Sequence, residues 1–219
     1  MDVREAVEKR RSIRKFLDKD VPPDFVIELI DSARQAPSSG NLQSWKFILV
    51  KNQEIKNQVA DACFQQNWLS RAPVLVVVVA FIEGVSRYYG VRGEMLYSVQ
   101  NCALASQNIM LRAVELGLST TMVSAFDEGM IKRCLGIPES MRPQAVIAVG
   151  YGDETPRKKL LSSIESLVYF EKFGARVESW DEAFYEWSGI MKDKARYILN
   201  KVKKAGTALR ERVQERAKY

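Results

Sequence analysis

Apolar residues follow two different periods along this chain, and the switches between them mark out its elements. Val74-Leu75-Val76-Val77-Val78-Val79-Ala80 is apolar at every position. A strand without a polar face is covered on both sides, so this run predicts a central strand. Trp45 to Lys51, Ser119 to Val123 and Ala145 to Gly150 supply three further β-rich runs. Between them the period lengthens to three and four. Residues 2–9 predict a short helix. Val21-Pro22-Pro23-Asp24 opens a second, because proline in a first helical turn forfeits no hydrogen bond. Phe25, Leu29, Ile30 and Ala33 form its apolar face. Residues 53–66 predict a third helix. Residues 92–116 predict the longest helix of the body, apolar nearly all round and interrupted by Gln100, Asn101, Gln107 and Asn108. Such a helix lies inside a domain or in a subunit interface. Asp127 caps a short helix that closes at Gly136-Ile137-Pro138. Four strands separated by helices predict a layered domain of mixed α and β structure, with no internal repeat.

From Trp180 onward the pattern changes. Trp180, Phe184, Trp187, Met191, Ala195, Ile198, Val202, Ala205, Leu209 and Val213 recur at spacings of three and four. They predict one long amphipathic helix, or two broken near Gly206, with a basic outer face. The expected organisation is a body over residues 1–175 and a helical extension over 176–219 that packs on the body or on a partner subunit. Charge follows the same division. Residues 192–219 hold ten basic and three acidic side chains, whereas residues 1–191 hold 23 basic and 24 acidic ones. The isoelectric point of about 9.2 therefore describes the tail, and is no argument for a nucleic-acid surface on the body.

The 219-residue chain contains no histidine. That excludes Ser-His-Asp and Cys-His catalysis and zinc-histidine sites. Cys63, Cys102 and Cys134 are widely spaced, which predicts small buried hydrophobes and neither a disulfide framework nor a thiolate metal site. Chemistry must then come from carboxylates, lysine, tyrosine or a cofactor. No strand is followed by GxGxxG, and no Walker A loop occurs. The longest apolar run, Ala72 to Ile82, is too short to span a bilayer, and the N-terminus has no secretory pattern. The expected location is the cytoplasm.

Three polar clusters remain. Arg10-Arg11-Ser12-x-Arg14 offers forked guanidinium donors and a hydroxyl at a helix exit, which suits a phosphate; alone it reads equally as a solvated charge run. Pro37-Ser38-Ser39-Gly40-Asn41-Leu42-Gln43 offers hydroxyls and amides beside a strand. Amides can pair with the alternating donors and acceptors of a flavin edge, although an ordinary turn has the same composition. Pro156-Arg157-Lys158-Lys159 places cations beyond the end of a strand.

In order and spacing, these clusters resemble the FMN-dependent nitroreductases. The resemblance is carried by RRSIRKF, APSSGNLQSWKF, the Ala-Pro-plus-valine strand, GLSTTMVSAFDEGMIKRCLGIPE, and AVIAVGY followed by PRKK, over about residues 3–170. It implies an α+β, three-layer fold with a central mixed or antiparallel sheet of four to five strands flanked by helices. It also implies an intertwined homodimer with FMN at the interface. Arg10, Arg11, Ser12 and Arg14 would line the flavin from one subunit, with Arg14 near its N1 and O2 edge. Arg157 and Lys159 would take the phosphate. Pro37, Ser38, Ser39, Asn41 and Gln43 would come from the other subunit. Backbone N–H groups of Ser124 and Ala125 would approach N5, and one amide of Gln65-Gln66-Asn67, Gln66 being favoured, would meet the pyrimidine edge. The implied reaction is ping-pong: NADH or NADPH delivers hydride to the flavin and leaves, and a nitroaromatic, quinone or similar acceptor is then reduced.

Three positions depart from the family pattern. Ser44 stands where proline is common, Gly152 where GYP is common, and Ser124-Ala125 where some members have Glu-Gly. The first two are expected to change loop stiffness only; the third bears on the acceptor pocket. Two other readings stay open. One is a specialised flavin reaction such as dehalogenation, with Phe81 to Arg92, including Tyr88 and Tyr89, as a short lid. The other is a flavin-binding module whose basic tail docks on a membrane, nucleic acid or protein.

Overall fold

A computed structural model describes residues 1–156 and 158–176. The chain divides into two units, Met1–Arg157 and Lys158–Tyr219. In the first, helices α1 (Val3–Lys9) and α2 (Pro23–Arg34) precede β1 (Trp45–Val50) and α3 (Gln53–Ala62). Then come β2 (Val74–Phe81), α4 (Ile82–Arg92), α5 (Ser98–Glu115), β3 (Ser119–Val123), α6 (Glu128–Leu135) and β4 (Met141–Gly150).

The four strands form one antiparallel sheet in the order β1-β2-β4-β3. β2 is interior and buried along nearly its whole length, as its uninterrupted apolar run requires. Its side chains alternate between two cores. Val74, Val76, Val78 and Ala80 pack with α2 and α5 through Leu29, Ala33, Ala105 and Ile109. Leu75, Val77 and Val79 face the other way, against Val59, Ala62 and Leu69 and against Ile131 of α6. The result is the expected α+β arrangement of three layers. Burying each large side chain such as Leu29 or Ile109 contributes about 2 kcal/mol. The Ser12–Thr120 bridge adds the only parallel pairing among the described residues.

Several boundaries differ from the periodicity. α3 stops at Ala62 rather than at 66, because Phe64 (φ 55°) and Gln65 (φ 59°) take left-handed conformations that reverse the chain. The predicted 92–116 helix is α5 preceded by a five-residue π turn, Gly93–Tyr97, that joins it to α4. Gly93 is fixed there by space: a Cβ would lie 2.7 Å from the Val85 carbonyl oxygen. α5 is also less enclosed than its composition suggests, with Met95 just before it, then Val99 and Leu104, exposed. On α2, Val26 is buried and Phe25 only half-buried. β4 begins at Met141, four residues earlier than its apolar run. A register shift opposite Val78/Val79 accommodates Pro143, which has no N–H to give a ladder. Cys63 and Cys102 are buried and Cys134 half-buried, all as free thiols.

In the second unit a short helix α7 (Ile164–Leu167) precedes a turn closed by Phe170 N–H donating to Ala175 O (2.8 Å), with the Tyr169 and Phe173 rings 4.6 Å apart. The predicted basic amphipathic extension over 176–219 lies, from 177 onward, outside the described residues.

Candidate active site

The N-terminal cluster is set by the way α1 ends. Arg10 turns out of the helix (φ −56°, ψ 124°), and the chain then runs extended along the β3 edge of the sheet. Ile13 N–H donates to Thr120 O (3.1 Å), Thr121 Oγ1 donates to Ile13 O, and Leu17 N–H donates to Tyr151 O (2.8 Å). Ile13 and Phe16 turn into the core, which leaves Ser12 and Arg14 exposed. Arg14 is held at two points. Its N–H donates to Glu154 Oε1 (2.5 Å), and its guanidinium lies 5.9 Å from the Trp68 ring centroid. Arg11 turns back instead, donating to the carbonyls of Glu8 and Arg10 (3.0 Å to the latter), where it caps the C-terminus of α1.

The reversal after α3 leads into the segment from Gln66 to Trp68, whose Trp68 ring meets Arg14 of this strip. Gln66 Nε2 donates to Cys63 O (3.0 Å), and the Asp127 N–H donates to Ala62 O (2.8 Å), tying the Ser124-Ala125 turn to the same corner. Ser124 and Ala125 are exposed directly beyond β3.

The second cluster is built on α5. Asn101, 1 % exposed, accepts from Ser39 N–H (3.0 Å) and Ser39 Oγ (3.3 Å) at its Oδ1, and donates from Nδ2 to Ser44 Oγ (3.0 Å). Ser38 Oγ accepts from Gln43 N–H (3.0 Å), and Gln43 Nε2 donates to Asn41 Oδ1 (3.2 Å). Gly40 (φ 57°), Asn41 (φ 56°) and Gln43 (φ 47°) are all left-handed, so the loop coils tightly enough to present small polar groups outward. Pro37, Ser38, Ser39, Gln100, Asn101 and Leu104 line a cleft of about 380 Å³. Tyr89 closes on the loop: a Cβ on Gly40 would lie 2.5 Å from its hydroxyl.

The sequence-predicted residues therefore fall into two sets. Arg10, Ser12, Arg14 and Gln66 gather around the β3 edge and the α3 corner. Pro37, Ser38, Ser39, Asn41 and Gln43 lie at the β1 edge, on the α5 side. Three strand spacings, about 14 Å, separate the two edges. Arg157 lies outside the described residues, and the half-buried Lys159 belongs to the second unit.

Sequence reasoning missed Trp68 and the bracing roles of Asn101 and Ser44, and named Tyr89 only as part of a short lid. Asn101 had a signal shared with Gln100, Gln107 and Asn108: an amide on a largely apolar helical stretch needs a partner when buried. Ser44, predicted to affect stiffness alone, is 3 % exposed and is that amide's acceptor. Gly152 likewise has a packing reason, since a Cβ there would meet Ser119 Oγ at 2.7 Å.

Comparison with known proteins shows the family to which the chain belongs. The profile of the nitroreductase family matches residues 7–70 and 63–151. A Methanothermobacter thermautotrophicus protein, provisionally named NADH dehydrogenase/NAD(P)H nitroreductase, is 34 % identical over 163 residues, covering 71 % of this chain and 80 % of its own. The iodotyrosine deiodinase of Thermotoga neapolitana is 24 % identical over 176 residues, covering 69 % and 88 %. The structure of an FMN-dependent nitroreductase from Clostridium difficile superposes with a TM-score of 0.67 at 26 % identity, covering 77 % of this chain and 98 % of its own. The chain belongs to the nitroreductase family, a family of flavin-dependent oxidoreductases.

Proposed function

We propose that this protein is an FMN-dependent NAD(P)H oxidoreductase that reduces small electron-poor molecules such as nitroaromatics and quinones, and that it works as a homodimer. The observation that carries the reading is the donor set. Guanidinium groups of Arg10 and Arg14 and the Ser12 hydroxyl form one cationic strip, and serine hydroxyls and amides form a second, neutral one. The first suits the anionic and electron-rich parts of FMN, the second its polar edge. When bound, FMN supplies the two-electron hydride chemistry that a chain without histidine lacks.

The residues do the rest. Arg14, braced by Trp68 and Glu154, would hold the positive charge that stabilises the negative charge of a reduced cofactor. Gln66 would offer its carboxamide to the pyrimidine edge of the cofactor, and the Ser124 and Ala125 N–H groups would serve its reacting ring. The Asn101-braced loop contributes Pro37, Ser38, Ser39, Asn41 and Gln43 from the partner subunit. Arg157 and Lys159 serve the phosphate, and Arg11 keeps α1's exit in place. Placement of the two sets at opposite sheet edges supports sharing between subunits, and the exposed apolar stretch Met95–Val99–Leu104 supplies a face for a second copy.

The test is the absorbance spectrum of purified protein, followed by anaerobic titration with NADH and with NADPH. Bleaching of a flavin spectrum by either nucleotide is the expected result. Protein that stays colourless after added FMN, or binds it without being reduced, overturns the reading. A second activity, reductive dehalogenation, is favoured by the deiodinase relative and by Tyr89 standing against the Gly40 loop. Halide release from a halogenated phenol under the same conditions separates the two.

A further inference from the structure

A recess of about 540 Å³ lies at the end of the sheet where β1 finishes and β2 begins, away from the Asn101-braced loop. Its lining includes Lys19, Lys51, Lys56 and Arg71, against Asp18 and Asp20. None of these belongs to the flavin set. Lys51 and Asp20 are 3.7 Å apart at the exposed rim, and the Lys19 ammonium sits 4.0 Å from the Tyr151 ring centroid.

Lys56 is the unusual member. It projects from the first turns of α3, is 6 % exposed, and donates from Nζ to Ala72 O at 2.8 Å. An ammonium has three N–H donors, and a carbonyl brings no countercharge. Burial accordingly pushes its pKa below the usual lysine value, with Asp20 pulling in the opposite direction. Gln53, the first residue of α3, lines the same recess, so the positive end of that helix dipole borders it. A buried cation, further cations at the mouth and a helix start beside them together make a concave surface whose donors suit a compact oxyanion.

We infer that this recess is a second ligand site, separate from the flavin site, which takes a phosphate group: Lys56 at the floor, Lys51 and Arg71 at the mouth. The phosphate can be free inorganic phosphate or the terminal phosphate of a nucleotide, and the chemistry of recognition is the same. The inference is independent of the reading of the flavin site.

The experiment uses the full chain with its natural flavin content. Phosphate binding is followed by ³¹P line broadening and by thermal unfolding, against chloride at matched ionic strength. Specific stabilisation that saturates with phosphate is expected. The exposed pair Lys51→Gln/Arg71→Gln should weaken phosphate binding about tenfold or more, the loss expected for removing charge-assisted bonds, with flavin content unchanged. Lys56→Met should abolish binding; the double variant carries the test if Lys56→Met does not fold. Adenosine 2′,5′-bisphosphate binding far tighter than phosphate, and weakened by the same double substitution, assigns the site to a nucleotide; equal affinities assign it to the free ion. Phosphate acting no differently from chloride, or binding equally to the double variant, overturns the inference and leaves Lys56 as a structural tie between α3 and Ala72. Loss of flavin in step with phosphate binding overturns it too, by merging the recess with the flavin site.

Discussion

Replacing Asn101 with alanine tests the claim that one buried amide organises the loop carrying Pro37, Ser38, Ser39, Asn41 and Gln43 of the proposed flavin contacts. The amide makes three hydrogen bonds, to Ser39 N–H, Ser39 Oγ and Ser44 Oγ, at 3.0, 3.3 and 3.0 Å. A neutral bond contributes about 1 kcal/mol net, and a buried group left unpaired costs about 1–3 kcal/mol. Ser39 lies near the surface, where water can replace the lost acceptor, so its two bonds cost the lower figure. Ser44 is 3 % exposed, so its hydroxyl loses its partner without reaching bulk water. The sum is roughly 2–4 kcal/mol, which a domain of ordinary stability survives. Urea unfolding followed by circular dichroism measures it, with an unchanged m-value showing that the folded state is intact. FMN affinity, measured in parallel, should fall because the loop loses its anchor. Asn101→Asp keeps the acceptor toward Ser39 but places a charge in the core, so it should be no better than alanine. A stability loss under about 0.5 kcal/mol with unaltered FMN affinity refutes the reasoning.

Gly40→Ala forces a Cβ to within 2.5 Å of the Tyr89 hydroxyl at a φ of 57°. It should destabilise by about 1–3 kcal/mol, and adding Tyr89→Phe should recover part of this in a double-mutant cycle; no recovery means the contact is not the cause. Arg14→Ala should weaken FMN binding about tenfold or more and move the flavin's reduction potential to more negative values by spectroelectrochemistry; an unchanged potential removes Arg14 from the electron-rich edge. Burial raises the thiols of Cys63 and Cys102 from an ordinary 9 to about 12. The folded state therefore holds these protons more tightly than the unfolded chain. Their contribution to stability is complete below pH 9 and is lost as pH rises toward 12. Unfolding measured between pH 8 and 11, marks chosen about those values, should show a decline that Cys63→Ala/Cys102→Ala flattens. The same burial predicts slow native labelling by thiol reagents at neutral pH.

The sequence alone determined the elements whose burial is forced by local pattern. Seven consecutive apolar residues can only be a strand covered on both faces, and β2 is interior for that reason. The caps of α6 are likewise local: Asp127 Oδ1 accepts from Met130 N–H (2.7 Å), and Gly136 takes φ 65°. The family was also legible, because its motifs lie in order along the chain. Tertiary structure decided the rest. Where α3 ends depends on two left-handed residues with ordinary side chains, and where β4 begins depends on a bulge around Pro143 that answers to β2. The resemblance assigns candidate residues 10–14 and 37–43 to different subunits; pairing of the N-terminal segment with β3 and of loop 37–44 with α5 puts them at opposite edges of the sheet within one chain. Ser44 and Tyr89 stand out in the sequence only as a family departure and a lid residue, and Lys56 not at all. Each is defined by a partner far along the chain, Asn101, Gly40 and Ala72 respectively, and only folding brings those partners within bonding or packing distance.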